Sequence, residues 1–138
     1  MSRVLVDLNV VLDVLFQREP HYKEAAAVFR KIEAGELSGL LAAHSVTTLY
    51  YLAAKRLGRA DCRALLLDVL QLFEVVVADG DRLRHALGLD WKDFEDAVQA
   101  ACAEAAKADY LVTRDKKGFR AATVRVLTPG ELVALSTP

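Results

Sequence analysis

The chain has 138 residues, a mass of 15.2 kDa and a formal net charge of −1 at pH 7. Its hydrophobic fraction of 54% is enough to bury a core, which excludes general disorder. No apolar run reaches the roughly 18–20 residues that span a bilayer, and two cysteines, Cys62 and Cys102, are too few for a disulfide framework. We therefore expect a cytoplasmic protein without a signal peptide, built as one domain over residues 1–138.

The hydrophobic pattern alternates between short apolar runs and longer stretches with helical spacing. Such alternation predicts an α/β fold with a parallel sheet of about four or five short strands and helices on both faces. In chain order we expect strands over residues 3–6, 37–43, 73–78, 109–112 and 123–127. The helices are expected over residues 9–16, Pro20 to Gly35, 45–57, 60–72, 79–87, from Asp90 or Lys92 to Lys107, and from Thr128 onwards.

Specific residues mark several of the expected helix ends. Ser45 is a plausible N-cap for the third helix, and Gly58 is a good residue to end it. Thr128 and Glu131 have the spacing of a capping box, with Pro129 at the first helical position between them. These residues therefore predict helix boundaries as well as helices.

Acidic residues occur where the predicted sheet would carry a functional site. Parallel α/β sheets bind ligands at the carboxyl ends of their strands. Asp7 ends the first strand, Asp115 follows the fourth strand, and Asp96 lies near the start of an alanine-rich helix. Singly, Asp7 could cap a helix, Asp115 could be a turn residue and Asp96 could be favoured by the helix dipole. If the first and fourth strands are neighbours, all three carboxylates meet in one crevice.

Three close carboxylates repel one another and raise one another's pKa unless a cation relieves the repulsion. Oxygen ligands favour Mg²⁺ or Mn²⁺ over zinc. Such an ion can activate water and neutralise charge on a phosphoryl oxygen, so metal-assisted phosphodiester hydrolysis fits these parts. A basic segment follows the last acid and could hold a phosphate backbone. Its candidate RNA-binding residues are Arg114, Lys116, Lys117 and Arg120.

Three segments resemble the motifs of PIN domains. Residues 6–13 (VDLNVVLD) are similar to the opening strand with its final Asp and an Asn two residues on. Residues 93–97 (DFEDA) are similar to the central Asp-Ala motif, and residues 109–119 (DYLVTRDKKGF) resemble the final strand with its Thr-x-Asp. The motifs lie in order and cover essentially the whole chain.

The resemblance implies a PIN-like fold and a Mg²⁺- or Mn²⁺-dependent endoribonuclease. Many small bacterial members resemble VapC-type toxins, which cut RNA and are held inactive by an antitoxin protein. By motif, Asp7, Asp96 and Asp115 would be the catalytic, metal-binding acids. Asn9 would shape the loop after the first strand, and Thr113 would support the acidic cluster by hydrogen bonding.

One acid of the family pattern is missing. PIN domains usually carry another acid, commonly Glu, on the helix after the second strand, whereas residues 45–52 contain none. Thr48 or Tyr51 would occupy its place. Asp93 could compensate as an extra acid, because positions i and i+3 share a helix face with Asp96, or it could simply start the helix.

The missing acid keeps an alternative open, in which a PIN-like module binds RNA or protein without cutting. A flavodoxin-like phosphoacceptor is less well matched, because it needs an acidic pair near the first strand. A haloacid-dehalogenase phosphatase needs Asp-x-Asp where residues 7–9 read Asp-Leu-Asn. An antitoxin or a second copy of the chain are candidate partners, and a surface around Phe16, His21, Tyr50 and Tyr51 could bind either, although aromatic residues at helical spacing are more often core.

Overall fold

One parallel sheet organises the computed structural model, which describes residues 1–135. Its strands are β1 (Ser2–Val6), β2 (Leu37–Ala42), β3 (Glu74–Val76), β4 (Tyr110–Val112) and β5 (Arg125–Leu127). They lie in the order β3-β2-β1-β4-β5, and every neighbouring pair is parallel. The first and fourth strands are therefore neighbours, which is the condition under which the sequence analysis expects Asp7, Asp96 and Asp115 to meet.

Seven α-helices and one 3-10 helix occur within residues 1–135. They are α1 (Leu8–Leu15), α2 (Tyr22–Glu33), α3 (Ala43–Leu57), α4 (Arg59–Leu72), α5 (Gly80–Gly88), α6 (Phe94–Ala105), the 3-10 helix Lys116–Phe119 and α7 (Pro129–Leu135). None of these helices is both long and apolar enough to cross a bilayer.

The helices cover both faces of the sheet. Successive strand side chains point to opposite faces, so Val4 and Val6 of β1 enter one apolar cluster while Leu5 enters another. The first cluster is built with residues of α1 to α4 and α7, and the second with residues of α5 and α6. This arrangement confirms the predicted α/β fold with helices on both faces.

Several predicted helix boundaries are confirmed by their hydrogen bonds and backbone angles. Thr128 and Glu131 form a reciprocal capping box, in which each side chain accepts a hydrogen bond from the other's backbone N–H, at 3.1 and 2.8 Å. Asp79 caps α5 by accepting from the N–H of Arg82 at 3.0 Å. Gly58, with φ of +84°, ends α3 in a conformation that favours glycine.

Other boundaries were wrong by two or more residues. Helix α3 begins at Ala43 because β2 runs directly into it, so Ser45 lies buried inside the helix and is not its N-cap. Helix α6 begins at Phe94, since Asp93 is its N-cap and Asp90 has a left-handed φ of +57° that no helix continues. Helix α2 begins at Tyr22, which leaves Pro20 outside its first turn.

Candidate active site

The pairing of β1 with β4 brings Asp7 and Thr113 side by side. Val6 and Val112 are partners in the sheet, and the Asp7 N–H donates to the Val112 carbonyl at 2.9 Å. The Thr113 hydroxyl donates to Asp7 Oδ2 at 2.9 Å and accepts from the Asp115 N–H at 3.1 Å. One buried hydroxyl therefore links the carboxylate after β1 to the backbone of the acid after β4.

The second oxygen of Asp7 is held by Gln99, a residue that sequence reasoning missed. Gln99 Nε2 donates to Asp7 Oδ1 at 2.7 Å from the buried face of α6. Asp7 occupies the N-cap position of α1, yet its side chain makes no capping hydrogen bond. Its hydrogen-bond partners within residues 1–135 are neutral, so its charge lies buried without an ion pair. In the sequence, Gln99 could have been noticed as the one amide on an otherwise apolar face of α6.

Asp96 lies in the first turn of α6, where other acids surround it. Its N–H donates to the N-cap carboxylate of Asp93 at 3.1 Å. Burial, followed by the charges of Asp93, Asp7 and Asp115, raises the pKa of Asp96 to about 7. The negative field of the neighbouring acids therefore favours either a proton or a cation at this carboxyl.

Gly118 allows the 3-10 helix to pass close to two of these acids. A Cβ atom at this glycine would lie 2.9 Å from Asp96 Oδ2 and 3.5 Å from Asp115 Oδ2. Any larger residue would push into the Asp96 carboxylate. The same position shows that the carboxylates of Asp96 and Asp115 flank one small space.

Asp96 lines two hollows, which also share Asp93 and Glu95 in their linings. The inner pocket, of about 130 Å³, contains Asp7, Asn9, His44, Ser45, Thr48, Asp93, Glu95, Asp96 and Gln99 in its lining. The outer cleft, of about 970 Å³, includes Asp93, Asp96, Asp115, Lys117, Gly118 and Arg120. Among residues 1–135, no three carboxylate, imidazole or thiol side chains are already gathered into a ready-made metal site. The acids thus share a space without converging on one point.

The four predicted RNA-binding residues divide into two groups. Arg114 pairs with the buried carboxylate of Asp13 at 2.8 Å, and Lys116 pairs with Glu131 at 3.0 Å. Lys117 and Arg120 line the acidic cleft and have no ion pair among the described residues. Free positive charge therefore remains on one side of the cleft, next to Asp96 and Asp115.

The position of the missing acid is filled by neutral side chains. Thr48 lines the inner pocket and donates its hydroxyl hydrogen to the His44 carbonyl at 3.1 Å. Tyr51 is 59% exposed and lies under the Lys55 ammonium, 4.4 Å from its ring centre. His44 also lines the pocket, which the sequence analysis did not anticipate, and burial lowers the pKa of its imidazole.

The fold is a parallel α/β domain with acidic residues after its first and fourth strands, and a family comparison identifies the family. Residues 3–117 match the sequence profile of the PIN domain. The chain belongs to the PIN domain family. PIN ribonucleases generally use a divalent metal.

Individual relatives resemble the chain along nearly all its length. Ribonuclease VapC1 of Aquifex aeolicus (strain VF5) is 25% identical over 135 residues, which cover 94% of this chain and 92% of that protein. The structure of Mycobacterium tuberculosis VapC20, a sarcin–ricin loop cleaving toxin, matches with a TM-score of 0.69 at 15% identity, over 89% of this chain and 98% of that one. A toxin–antitoxin complex from Klebsiella pneumoniae gives 0.68 at 24% identity, over 91% and 97%.

Proposed function

We propose that the chain is a metal-dependent endoribonuclease resembling the toxin of a type II toxin–antitoxin pair. The observation that carries the proposal is that Asp96 lines one hollow with Asp7 and a second with Asp115. The second hollow also contains Lys117 and Arg120, which have no ion pair within residues 1–135. Acids beside free cationic side chains fit a substrate that is a phosphodiester and a reaction that needs a divalent cation.

Asp7, Asp96 and Asp115 would hold Mg²⁺ or Mn²⁺, with Asp93 as a further acid beside them. The residues fit such an ion, because burial and then the charges of neighbouring carboxylates raise the pKa of Asp96, and a cation would relieve the repulsion among those carboxylates. When bound, the ion supplies Lewis-acid stabilisation of charge on the phosphate and a nucleophile from water at neutral pH. The surrounding protein keeps the carboxylates in place.

The remaining residues would orient these acids and bind the RNA. Gln99 and Thr113 fix both oxygens of Asp7, and Thr113 also holds the backbone of Asp115. Lys117 and Arg120 would contact the phosphates of the RNA, whereas the ion pairs of Arg114 and Lys116 favour a structural use of those residues. Asn9 lines the inner pocket beside Asp7 and would shape its entrance.

RNA cleavage by purified protein tests the proposal. We expect wild type to cut single-stranded or looped RNA with Mn²⁺ and to stop in EDTA. Asp96→Asn should lose at least about 100-fold in rate, a typical loss when charge stabilisation is removed from an active site. Asp81→Asn is the matched control, because Asp81 is an exposed acid paired with Arg84 outside both hollows. Equal cleavage by both variants would contradict the proposal.

An antitoxin protein is the proposed regulatory partner, and a homodimer is the proposed assembly. The Klebsiella pneumoniae toxin–antitoxin complex supports the first by its resemblance to this chain. Exposed aromatic surface at Tyr50 and Tyr51, which are 42% and 59% exposed, is available for either contact. Light scattering of the chain alone and with the product of a neighbouring small gene measures both assemblies. A monomer that binds no such product would contradict them.

A further inference from the structure

Two residues that line the inner pocket, Gln99 and His44, each have a buried side-chain atom with no hydrogen-bond partner within residues 1–135. Gln99 is only 4% exposed, and its Oε1 is buried without a hydrogen-bond partner while its Nε2 donates to Asp7. His44 Nδ1 is likewise buried and unpartnered. Unsatisfied buried polar atoms are costly and rare in folded proteins, so two in the lining of one pocket indicate a missing donor.

The other polar groups of the pocket do not supply that donor. The carboxylates of Asp7, Asp93, Glu95 and Asp96 are acceptors, and the Thr48 hydroxyl hydrogen is directed to the His44 carbonyl. The Asn9 amide and the Ser45 hydroxyl also line the pocket, but neither donates to Gln99 or His44 at these atoms. Burial lowers the pKa of His44, so at neutral pH one ring nitrogen is an acceptor. A ligand suited to this lining must carry positive charge and present several donors.

A hydrated divalent cation has both properties, because the waters around it point their hydrogens outwards. The pocket volume of about 130 Å³ has room for an ion with its water shell, because roughly 10–15 Å³ of such space holds one water. Mg²⁺ loses its waters reluctantly and is commonly bound with several of them in place. Such binding does not require three ligating side chains to converge, and none converge within residues 1–135.

We propose that the pocket recognises the cation through its water shell, with Gln99 Oε1 and His44 Nδ1 accepting hydrogen bonds from the waters in place of the acid that residues 45–52 lack. The inference rests on the proposed cation-dependent nuclease site and names two neutral positioning residues in it. It explains how a site short of one negative charge can still retain an ion.

Hexaamminecobalt(III) provides the probe, because its ammonia ligands do not exchange and it can bind only through outward N–H donors. Calorimetric titrations with this complex and with Mg²⁺ use wild type, His44→Phe and His44→Asn. We expect wild type to bind both ions competitively and His44→Phe to bind each about tenfold more weakly, a typical effect of losing a partner around a metal site. His44→Asn restores an acceptor and should recover most of the affinity. His85→Phe is the control, since His85 is exposed and pairs with Glu104 elsewhere.

The outcomes separate this inference from the proposed function. Wild type that cuts RNA with Mg²⁺ but does not bind the cobalt complex would overturn the inference and leave the nuclease standing. His44→Phe that melts like wild type and binds both ions equally well would also overturn it, as would wild type that binds neither ion. Binding of the complex that depends on His44, in a protein that cuts no RNA, would support the inference and remove the nuclease.

Discussion

Asp7 and Asp13 are both buried and lie six positions apart, but their carboxylates have different kinds of hydrogen-bond partner. Asp13 is 1% exposed and accepts from two guanidinium groups, those of Arg18 and Arg114, both with a closest distance under 3 Å. Asp7 is 6% exposed and accepts from an amide and a hydroxyl, and it has no ion pair in the part of the chain that the structure describes. Both carboxylates are hydrogen-bonded, but only the charge of Asp13 is neutralised by the protein itself.

The comparison distinguishes a buried charge that stabilises the fold from a buried charge that can bind a ligand. A paired carboxylate is satisfied within the fold, and Asp13 links the end of α1 to the segment after β4. An oriented but unpaired carboxylate leaves its charge available to a ligand. The same contrast applies to Arg114, which the sequence suggested for RNA and whose guanidinium is paired with Asp13 in the structure.

The largest expected effect is that of removing the charge at Asp13. Asp13→Asn leaves two partly buried guanidinium groups without their partner, so we expect the free energy of unfolding to fall by about 3 kcal/mol. Urea denaturation of the protein in EDTA measures this. Asp7→Asn is the matched comparison and should change stability by less than about 1 kcal/mol, because the Asn oxygen can accept from Thr113 and its NH2 can donate to Gln99 once the Gln99 amide turns over. Equal losses of unfolding free energy in the two variants would contradict the distinction between the ion-paired Asp13 and Asp7.

The next effect is on the stabilisation of the protein by a cation, for which Asp7 should matter more than Asp13. A cation at about 100 times its Kd stabilises the protein that binds it by about 2.7 kcal/mol. Wild type should therefore melt at a higher temperature in millimolar Mn²⁺ than in EDTA, and Asp7→Asn should lose most of that difference. Thermal melts followed by circular dichroism give both values. An undiminished Mn²⁺ shift in Asp7→Asn would show that Asp7 is not part of the cation site.

A smaller effect comes from the pH dependence of Asp96. Its pKa is raised from 3.8 to about 7 in the folded chain, so between these values the folded state binds more protons than the unfolded state. Stability in EDTA should therefore fall as pH rises towards 7, by about 3 °C in melting temperature if the effect is discounted to roughly 1 kcal/mol. Asp96→Asn should lose this part of the slope and Asp81→Asn should keep it; identical profiles would contradict the assignment.

The smallest effect compares two neighbouring lysines on the 3-10 helix. Lys117 faces the acidic cleft without an ion pair among the described residues, whereas Lys116 is bound to Glu131. Lys117→Gln should weaken RNA binding several-fold and reduce the slope of log affinity against log salt by about 0.7, the value for one contact to a single strand. Lys116→Gln should leave that slope unchanged and cost at most about 1 kcal/mol of stability. Filter binding in EDTA across a salt series measures the slopes, and equal slopes would contradict the division.

The strand-end acids were predictable because the sites of parallel sheets lie at the carboxyl ends of the strands, and short apolar runs in the sequence locate those ends. Asp7 and Thr113 follow apolar strands, so once β1 and β4 are adjacent their contact follows from the register. Gln99 and His44 were not predictable in this way. Their role depends on which side of α6 and of α3 faces the sheet edge, and helix periodicity in an alanine-rich or mixed segment does not define that side sharply.

The partners of the basic residues could not be predicted from the sequence either. Arg114 and Asp13 are 101 positions apart, and the charge of each segment alone gives no reason to pair them. The start of α3 was misplaced for a local reason, because Ser45 has the side chain of an N-cap but β2 turns into the helix two residues earlier. Local signals therefore located elements, whereas contacts between distant elements determined which side chains reach the site.

The distance along the chain between Asp7 and Thr113 also bears on the order of events during synthesis. The hydrogen bond between them joins positions 106 residues apart, and β4 must pair with β1 before it can form. A ribosome-bound chain that has not yet been translated as far as Thr113 possesses the first acid but neither the hydroxyl that fixes it nor the last acid. The growing polypeptide can thus pair β1 with β2 early. The proposed nuclease site is completed only after the β4 segment has left the exit tunnel.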